Sequence, residues 1–457
     1  VGLTNYASNE VLQGRQIIIV SSLQDFVVII LLNPTFRFAA CGAEISRPCR
    51  TCHQLIIEQM KFYTINQPLL LSRVSFLLLA VGLFACSPEE SGRREAYFLS
   101  VSDSLWLDRA LLIERLGGDD MPDALLQFLP ERQVRTDAIR YRSEDPQGNA
   151  VAASGIVVYP ADGMFKGVVV GQHYSIGADR ESPSARMAVV ESLLALFGYV
   201  VIAPDFIGFG ATADLPQTYI HAESTGRVTA DMVFAAREYM AGKGMPVEEE
   251  MYVVGYSQGG YSALAFAKTA EEQYPDDMPL RHVFAGGGPY VPESMFNLFI
   301  EKDVLENPST VLLAITGFDY ADGLNLDYAK VFQEPLLSQY EDCVFGKKHT
   351  LSEMERLLGT DRLSDILHPD LFLPERNSEF DKIYRSLAAN NLTEWTPETP
   401  VLLVHGTGDG TVPFVNAQTA YNSFKARGCT VRLIPVPDGD HRETGIAFFL
   451  TVLQQLT

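Results

Sequence analysis

From residue 134 onward, short apolar runs alternate with longer amphipathic stretches. Residues 167–171, 199–203, 252–254, 282–285 and 400–405 are apolar at nearly every position rather than at every second one. Val and Ile recur in these runs. A strand with no polar side must be covered on both faces, so the pattern predicts parallel strands packed between helices. Residues 184–197, 222–240, 261–270, 415–427 and the segment from 441 carry their apolar residues at helical spacing. Residues 134–142 and 152–159 flank Asp145-Pro146-Gln147-Gly148-Asn149, a run of turn formers, and predict a hairpin at the edge of the sheet. Residues 430–436 read as the last strand. The fold class expected is α/β, a mostly parallel central sheet with helices on both faces.

Two stretches depart from this rhythm. Residues 291–395 are rich in Leu, Phe, Tyr and acidic side chains at helical spacing, with few strand signals. They read as a helical insertion over the carboxyl edge of the sheet. It would serve either as a cap that lines an acyl pocket and excludes water, or as padding that never meets substrate. Residues 105–116 have helical spacing of Leu and Ile before the Gly117-Gly118-Asp119-Asp120 break. The division is then 86–133 as tether and N-terminal helical segment, 134–290 as the first part of the core, 291–395 as the insertion, and 396–457 as the second part.

The beginning of the chain reads as export machinery. Met60-Lys61 is followed by an apolar run over 74–84 that ends in Leu83-Phe84-Ala85-Cys86. A basic start, a short apolar core and small residues before a cut describe a secretory signal over 60–85, and the core is too short for a comfortable span. The L-x-A-C pattern resembles the bacterial lipobox, with Phe84 bulkier than the usual residue. That resemblance implies lipidation of Cys86, a membrane partner through the lipid, and a place in the bacterial cell envelope. Residues 1–59 then stand as a mis-assigned or disordered leader. They contain Cys49-Arg50-Thr51-Cys52-His53, a match to the c-type haem pattern; lying upstream of an export signal, it is read as accidental.

Charge and cysteine content narrow the partners. A net charge of -22 repels phosphate and argues against nucleic acid. Beyond Cys86 only Cys343 and Cys429 remain, which is no disulfide framework.

The chemistry centres on Gly255-Tyr256-Ser257-Gln258-Gly259, a G-x-S-x-G turn between a predicted strand and a predicted helix. A strained strand-to-helix turn exposes the serine, and small residues two before and two after it relieve crowding. A serine at neutral pH needs a base, commonly histidine, and a carboxylate to hold that base. In an open parallel sheet such groups lie on loops at the carboxyl ends of strands. Asp409 lies four residues past His405 in a Gly-rich turn, and His441 follows the last strand. Ser257, Asp409 and His441 thus stand in the chain order Ser, acid, His. Asp205 ends an earlier strand and reads as a loop anchor. Asp438 and Asp440 are too close in sequence to His441 to orient its ring, and His405 reads as packing at a strand end. Donors for an oxyanion would be the N–H of Gln258 and an N–H after the 167–171 strand, from Tyr174 or Ser175, with Tyr174 preferred.

The segments Ala153-Ser154-Gly155-Ile156-Val157, Ala203-Pro204-Asp205-Phe206-Ile207-Gly208-Phe209-Gly210, Gly255 to Gly260, and His405-Gly406-Thr407-Gly408-Asp409 with Val412-Pro413, taken in order, resemble the α/β-hydrolase superfamily in its secretory-lipase and carboxylesterase-like branch. The resemblance covers residues from about 134 to 457 and implies hydrolysis of a small-molecule carboxylic ester through an acyl-enzyme, with no metal or cofactor. Acyl and alcohol groups and oligomeric state stay open. A serine peptidase on the same fold and a non-catalytic surface-binding lipoprotein are the alternatives.

Overall fold

The computed structural model describes residues 96–116 and 129–456. Cys86, the signal at 60–85 and the leader at 1–59 lie outside the described residues.

Among the described residues, nine strands form one mixed sheet in the order β1-β2-β3-β5-β4-β6-β7-β8-β9. They are β1 (Phe98–Leu107), β2 (Val134–Glu144), β3 (Ala150–Pro160), β4 (Gly167–Gln172), β5 (Tyr199–Pro204), β6 (Met251–Tyr256), β7 (Leu280–Gly286), β8 (Val401–Gly406) and β9 (Val431–Val436). Pairings among β1, β2, β3 and β5 are antiparallel. From β5 through β4 and β6 to β9 every pairing is parallel. The continuous apolar runs are the parallel strands, and adjacent residues of one strand serve opposite faces. Val168, Val170, Val253 and Leu403 join one core, while Val169, Val254, Leu402 and Val404 join the other. Every one of these side chains is buried, each stabilising the fold by roughly 1.5–3 kcal/mol.

Among the described residues, the helices of seven residues or more are α1 (Arg109–Arg115), α2 (Ala222–Gly242), α3 (Gln258–Gln273), α4 (Pro292–Lys302), α5 (Ser309–Ala321), α6 (Leu351–Leu358), α7 (Ser378–Ala389), α8 (Val415–Ala426) and α9 (His441–Leu456). Helices α2, α3 and α8 pack on the first core. Phe448, Phe449 and Val452 of α9 pack on the second.

Three expectations need correction. The β2–β3 hairpin is not at the edge of the sheet, because β1 pairs along the outer side of β2. The helix read over 105–116 is only Arg109–Arg115; residues 98–107 are instead the edge strand β1. Pairing with β2 claims the backbone up to Leu107. The Asp108 side chain then accepts the Leu111 N–H and starts the helix there. The continuous helix read over 184–197 is two single turns, Pro183–Arg186 and Leu193–Leu196. Met187, at φ 61°, ends the first.

Between β7 and β8 the chain makes α4 to α7 with no named strand among the described residues, only the isolated bridges Val304–Arg362 and Phe332–Leu367. This segment is stitched to loops at the carboxyl ends of three strands. Asp179, after β4, donates its N–H to the Lys347 carbonyl at 2.9 Å. The Lys347 ammonium donates to the carbonyls of Gly208, Ala213 and Leu215, all after β5. Thr411, after β8, donates its hydroxyl to Glu306 at 2.7 Å.

Candidate active site

Ser257 sits between β6 and α3 with φ 61° and ψ −125°, a backbone conformation that side-chain-bearing residues rarely adopt. Its N–H donates to the Gly286 carbonyl at 2.9 Å and ties the turn to β7. The tightness of the turn explains the flanking glycines. A Cβ on Gly255 would lie 2.1 Å from the Gly259 carbonyl oxygen, and one on Gly259 would lie 2.0 Å from that of Gln172. The second contact also sets the carboxyl end of β4 against the serine turn.

His441 opens α9, and its Nε2 is 2.9 Å from Ser257 Oγ. Its Nδ1 is 2.7 Å from Asp409 Oδ2. The Asp409 side chain is fully buried, and its Oδ1 accepts the N–H groups of Thr411 at 3.0 Å and Val412 at 2.8 Å. An ionised carboxylate only accepts, so His441 must carry its proton on Nδ1, which leaves the Nε2 lone pair for the serine hydroxyl. Three residues separated by as much as 184 positions thus form one hydrogen-bonded chain. Such a chain can draw a proton from the hydroxyl as it attacks and return it to a leaving group.

The other acidic and histidine candidates have different work. Asp205 is buried; it accepts the Ser154 hydroxyl through Oδ2 and the Ser184 N–H through Oδ1. It anchors loops, as its position suggested. Asp440 caps α9 by accepting the Glu443 N–H at 2.7 Å.

His405 does more than pack. Its Nε2–H donates to the Val412 carbonyl at 2.7 Å and lies 3.5 Å from Asp409 Oδ2. Burial pushes its pKa down. It therefore braces the loop whose N–H groups hold Asp409, a role that only the closed loop reveals. His173 is buried too, with Nδ1 2.7 Å from the Tyr174 carbonyl and its pKa pushed down to about 4 by burial.

Gln258 is the first residue of α3, where an N–H has no partner within the helix. Tyr174 and Ser175 lie on the loop after β4. Among the described residues no acceptor takes the N–H of Gln258, Tyr174 or Ser175. The Ser175 hydroxyl instead meets Tyr219 at 2.8 Å, and the Tyr174 hydroxyl accepts from Arg186 at 3.1 Å. Both loop residues remain candidates beside Gln258, whose N–H also stands at the positive end of the α3 dipole. Cys343 and Cys429 are buried and unpaired. Among the described residues no group of three or more His, Cys, Asp or Glu is placed to hold a metal.

The same architecture occurs in solved proteins. A protein from Legionella pneumophila superposes with a TM-score of 0.68 at 24% identity, covering 78% of this chain and 97% of that one. LipA, the rice cell wall degrading esterase of Xanthomonas oryzae, superposes at 0.65 with 24% identity, covering 78% and 96%. The chain has the α/β-hydrolase fold. Within that fold the serine turn after β6, the acid after β8 and the histidine after β9 occupy loops on the carboxyl side of the sheet. In sequence, Lipase 1 of Candida albicans is 23% identical over 310 residues; the match spans 62% of this chain and 62% of that lipase. No family model matches the chain.

Proposed function

We propose that this protein is a serine hydrolase that cleaves carboxylic esters through an acyl-enzyme. Ser257 Oγ adds to the ester carbonyl carbon while its proton passes to His441 Nε2, and Asp409 stabilises the imidazolium through Nδ1–H. The carbonyl π pair moves onto oxygen, which the N–H groups of Gln258 and Tyr174 receive. The tetrahedral adduct then expels the alcohol, which takes the proton from His441. A water repeats the sequence on the acyl-enzyme, frees the acid and restores Ser257. The observation that carries this reading is the unbroken Ser257–His441–Asp409 hydrogen-bond chain on a serine turn with φ 61°. The named lipase and esterase relatives support ester over other acyl substrates. Residues 291–395, stitched to the loops after β4, β5 and β8, would cover the acyl group.

Ser257→Ala should abolish turnover of p-nitrophenyl acetate and leave the melting temperature unchanged; full activity in that variant refutes the assignment. Faster turnover of aminoacyl amides than of short-chain esters by the parent protein would redirect the reading to a peptidase.

We also propose that Cys86 is lipidated and holds the enzyme at the bacterial cell envelope, on the strength of Leu83-Phe84-Ala85-Cys86. The full chain made in a bacterium should incorporate labelled palmitate, and Cys86→Ser should not; label in both would exclude Cys86.

A further inference from the structure

We propose that Tyr256, the residue before the nucleophile, is a positioning residue that holds His441 from its backbone side, so that adjacent residues of one turn grip the base at two points. The inference rests on the serine-hydrolase reading and goes beyond its triad. Ser257 Oγ meets the His441 ring at Nε2, 2.9 Å away. The Tyr256 hydroxyl donates to the His441 main-chain carbonyl at 2.6 Å. The two rings also pack, with centroids 5.1 Å apart and planes at 43°.

The histidine needs such a hold. It stands at the first residue of α9, where helices fray and the chain has just left an irregular turn. Asp409 fixes the ring through Nδ1, yet one hydrogen bond leaves the backbone beneath the ring free to drift. Tyr256 removes that freedom, and because Ser257 is covalently next to it, any shift of β6 carries nucleophile and base together. The phenol ring is itself closely cradled. A Cβ on Gly287 would lie 2.7 Å from its Cζ and hydroxyl oxygen, and one on Gly445, in the second turn of α9, would lie 3.2 Å from its Cε1.

A matched control exists on the same helix. Tyr199 donates its hydroxyl to the Leu456 carbonyl at 2.6 Å, at the far end of α9. Tyr256→Phe and Tyr199→Phe each delete one phenol-to-carbonyl bond from α9, but only the first lies under His441. For Tyr256→Phe we expect kcat on p-nitrophenyl acetate to fall about tenfold, as for a small misplacement of a catalytic group, with KM within about twofold. The downfield proton signal of the His441 Nδ1–H, bonded to Asp409, should broaden or move upfield. Tyr199→Phe should lose similar thermal stability yet keep its kcat and the signal.

Unchanged kcat and signal in Tyr256→Phe overturn the proposal, as does an equal loss of kcat in Tyr199→Phe, which would reduce both bonds to support of the helix. Should Tyr256→Phe not accumulate as folded protein, Gly445→Ala carries the test. It raises helix propensity while pressing on the phenol ring, so lower kcat at equal or higher melting temperature supports the grip and unchanged kcat overturns it. The proton signal is read without turnover. It therefore tests the grip even where fluorophosphonate fails to label Ser257, the result that would sink the serine-hydrolase reading itself.

Discussion

Replacing Asp409 by Asn tests the polarity of the whole hydrogen-bond chain. The substitution is nearly isosteric, and the loop decides which way the amide turns. Oδ1 of Asp409 accepts two N–H groups, from Thr411 and Val412. To keep them, the Asn oxygen must take that place, which leaves its NH2 facing His441 Nδ1. The flipped amide would instead point donors at two N–H groups and leave them unsatisfied, at a cost of about 1–3 kcal/mol each. Facing an NH2, His441 Nδ1 must become the acceptor and carry its proton on Nε2. That nitrogen then presents a hydrogen to Ser257 across the 2.9 Å gap and cannot take one. The expected loss is about 10³ to 10⁴ in kcat, equivalent to about 4–5.5 kcal/mol of barrier. The fold should survive, because the loop keeps both backbone bonds. Stopped-time hydrolysis of p-nitrophenyl acetate gives the rate, and thermal melting with circular dichroism gives the fold. A folded Asp409→Asn retaining more than about a tenth of the parent kcat would refute the reasoning, since the carboxylate would then set neither tautomer nor charge.

Gly259→Ala places a Cβ 2.0 Å from the Gln172 carbonyl oxygen. Backbone cannot yield that far, so the variant should lose most ester turnover and melt several degrees lower; parent-like activity would show that the carboxyl end of β4 is free to move. Acid should weaken the fold through His173. Its pKa is pushed down by burial to about 4 from 6.5, so between those values the unfolded chain binds a proton that the native state refuses. Stability from this group is complete above pH 6.5, falls as pH drops toward 4, and levels off below. The loss amounts to about 3 kcal/mol. His173→Asn, which can still donate to the Tyr174 carbonyl, should flatten the urea-unfolding free energy over that window, and an identical slope in both proteins would contradict the assignment.

The local pattern made the inner sheet legible. Parallel strands buried on both faces cannot hide among amphipathic segments, so Val168 to Val170 and Val200 to Ile202 announce themselves. Strand β1 did not, because most of its residues are exposed. Its identity comes from pairing with residues 27 to 43 positions away, and its Leu and Trp spacing fits a helix as well. The turns over 183–196 misled for a related reason: a left-handed residue at Met187 breaks a run that propensity alone would continue.

The serine turn was readable because sterics write it locally: a left-handed serine flanked by glycines needs no distant partner to be recognised. The order of Ser257, Asp409 and His441 could be read as well, since loops at strand ends follow from the alternation of strands and helices. By itself, then, the sequence determined the inner parallel strands, the serine turn and the chain order of the strand-end loops, because these follow from short-range sterics and hydrophobic period. Only the tertiary structure decided that Asp409 reaches Nδ1, that His405 braces its loop and that Tyr256 lies under His441. Those contacts join loops from separate strands, and their distances are set by how the sheet twists and packs.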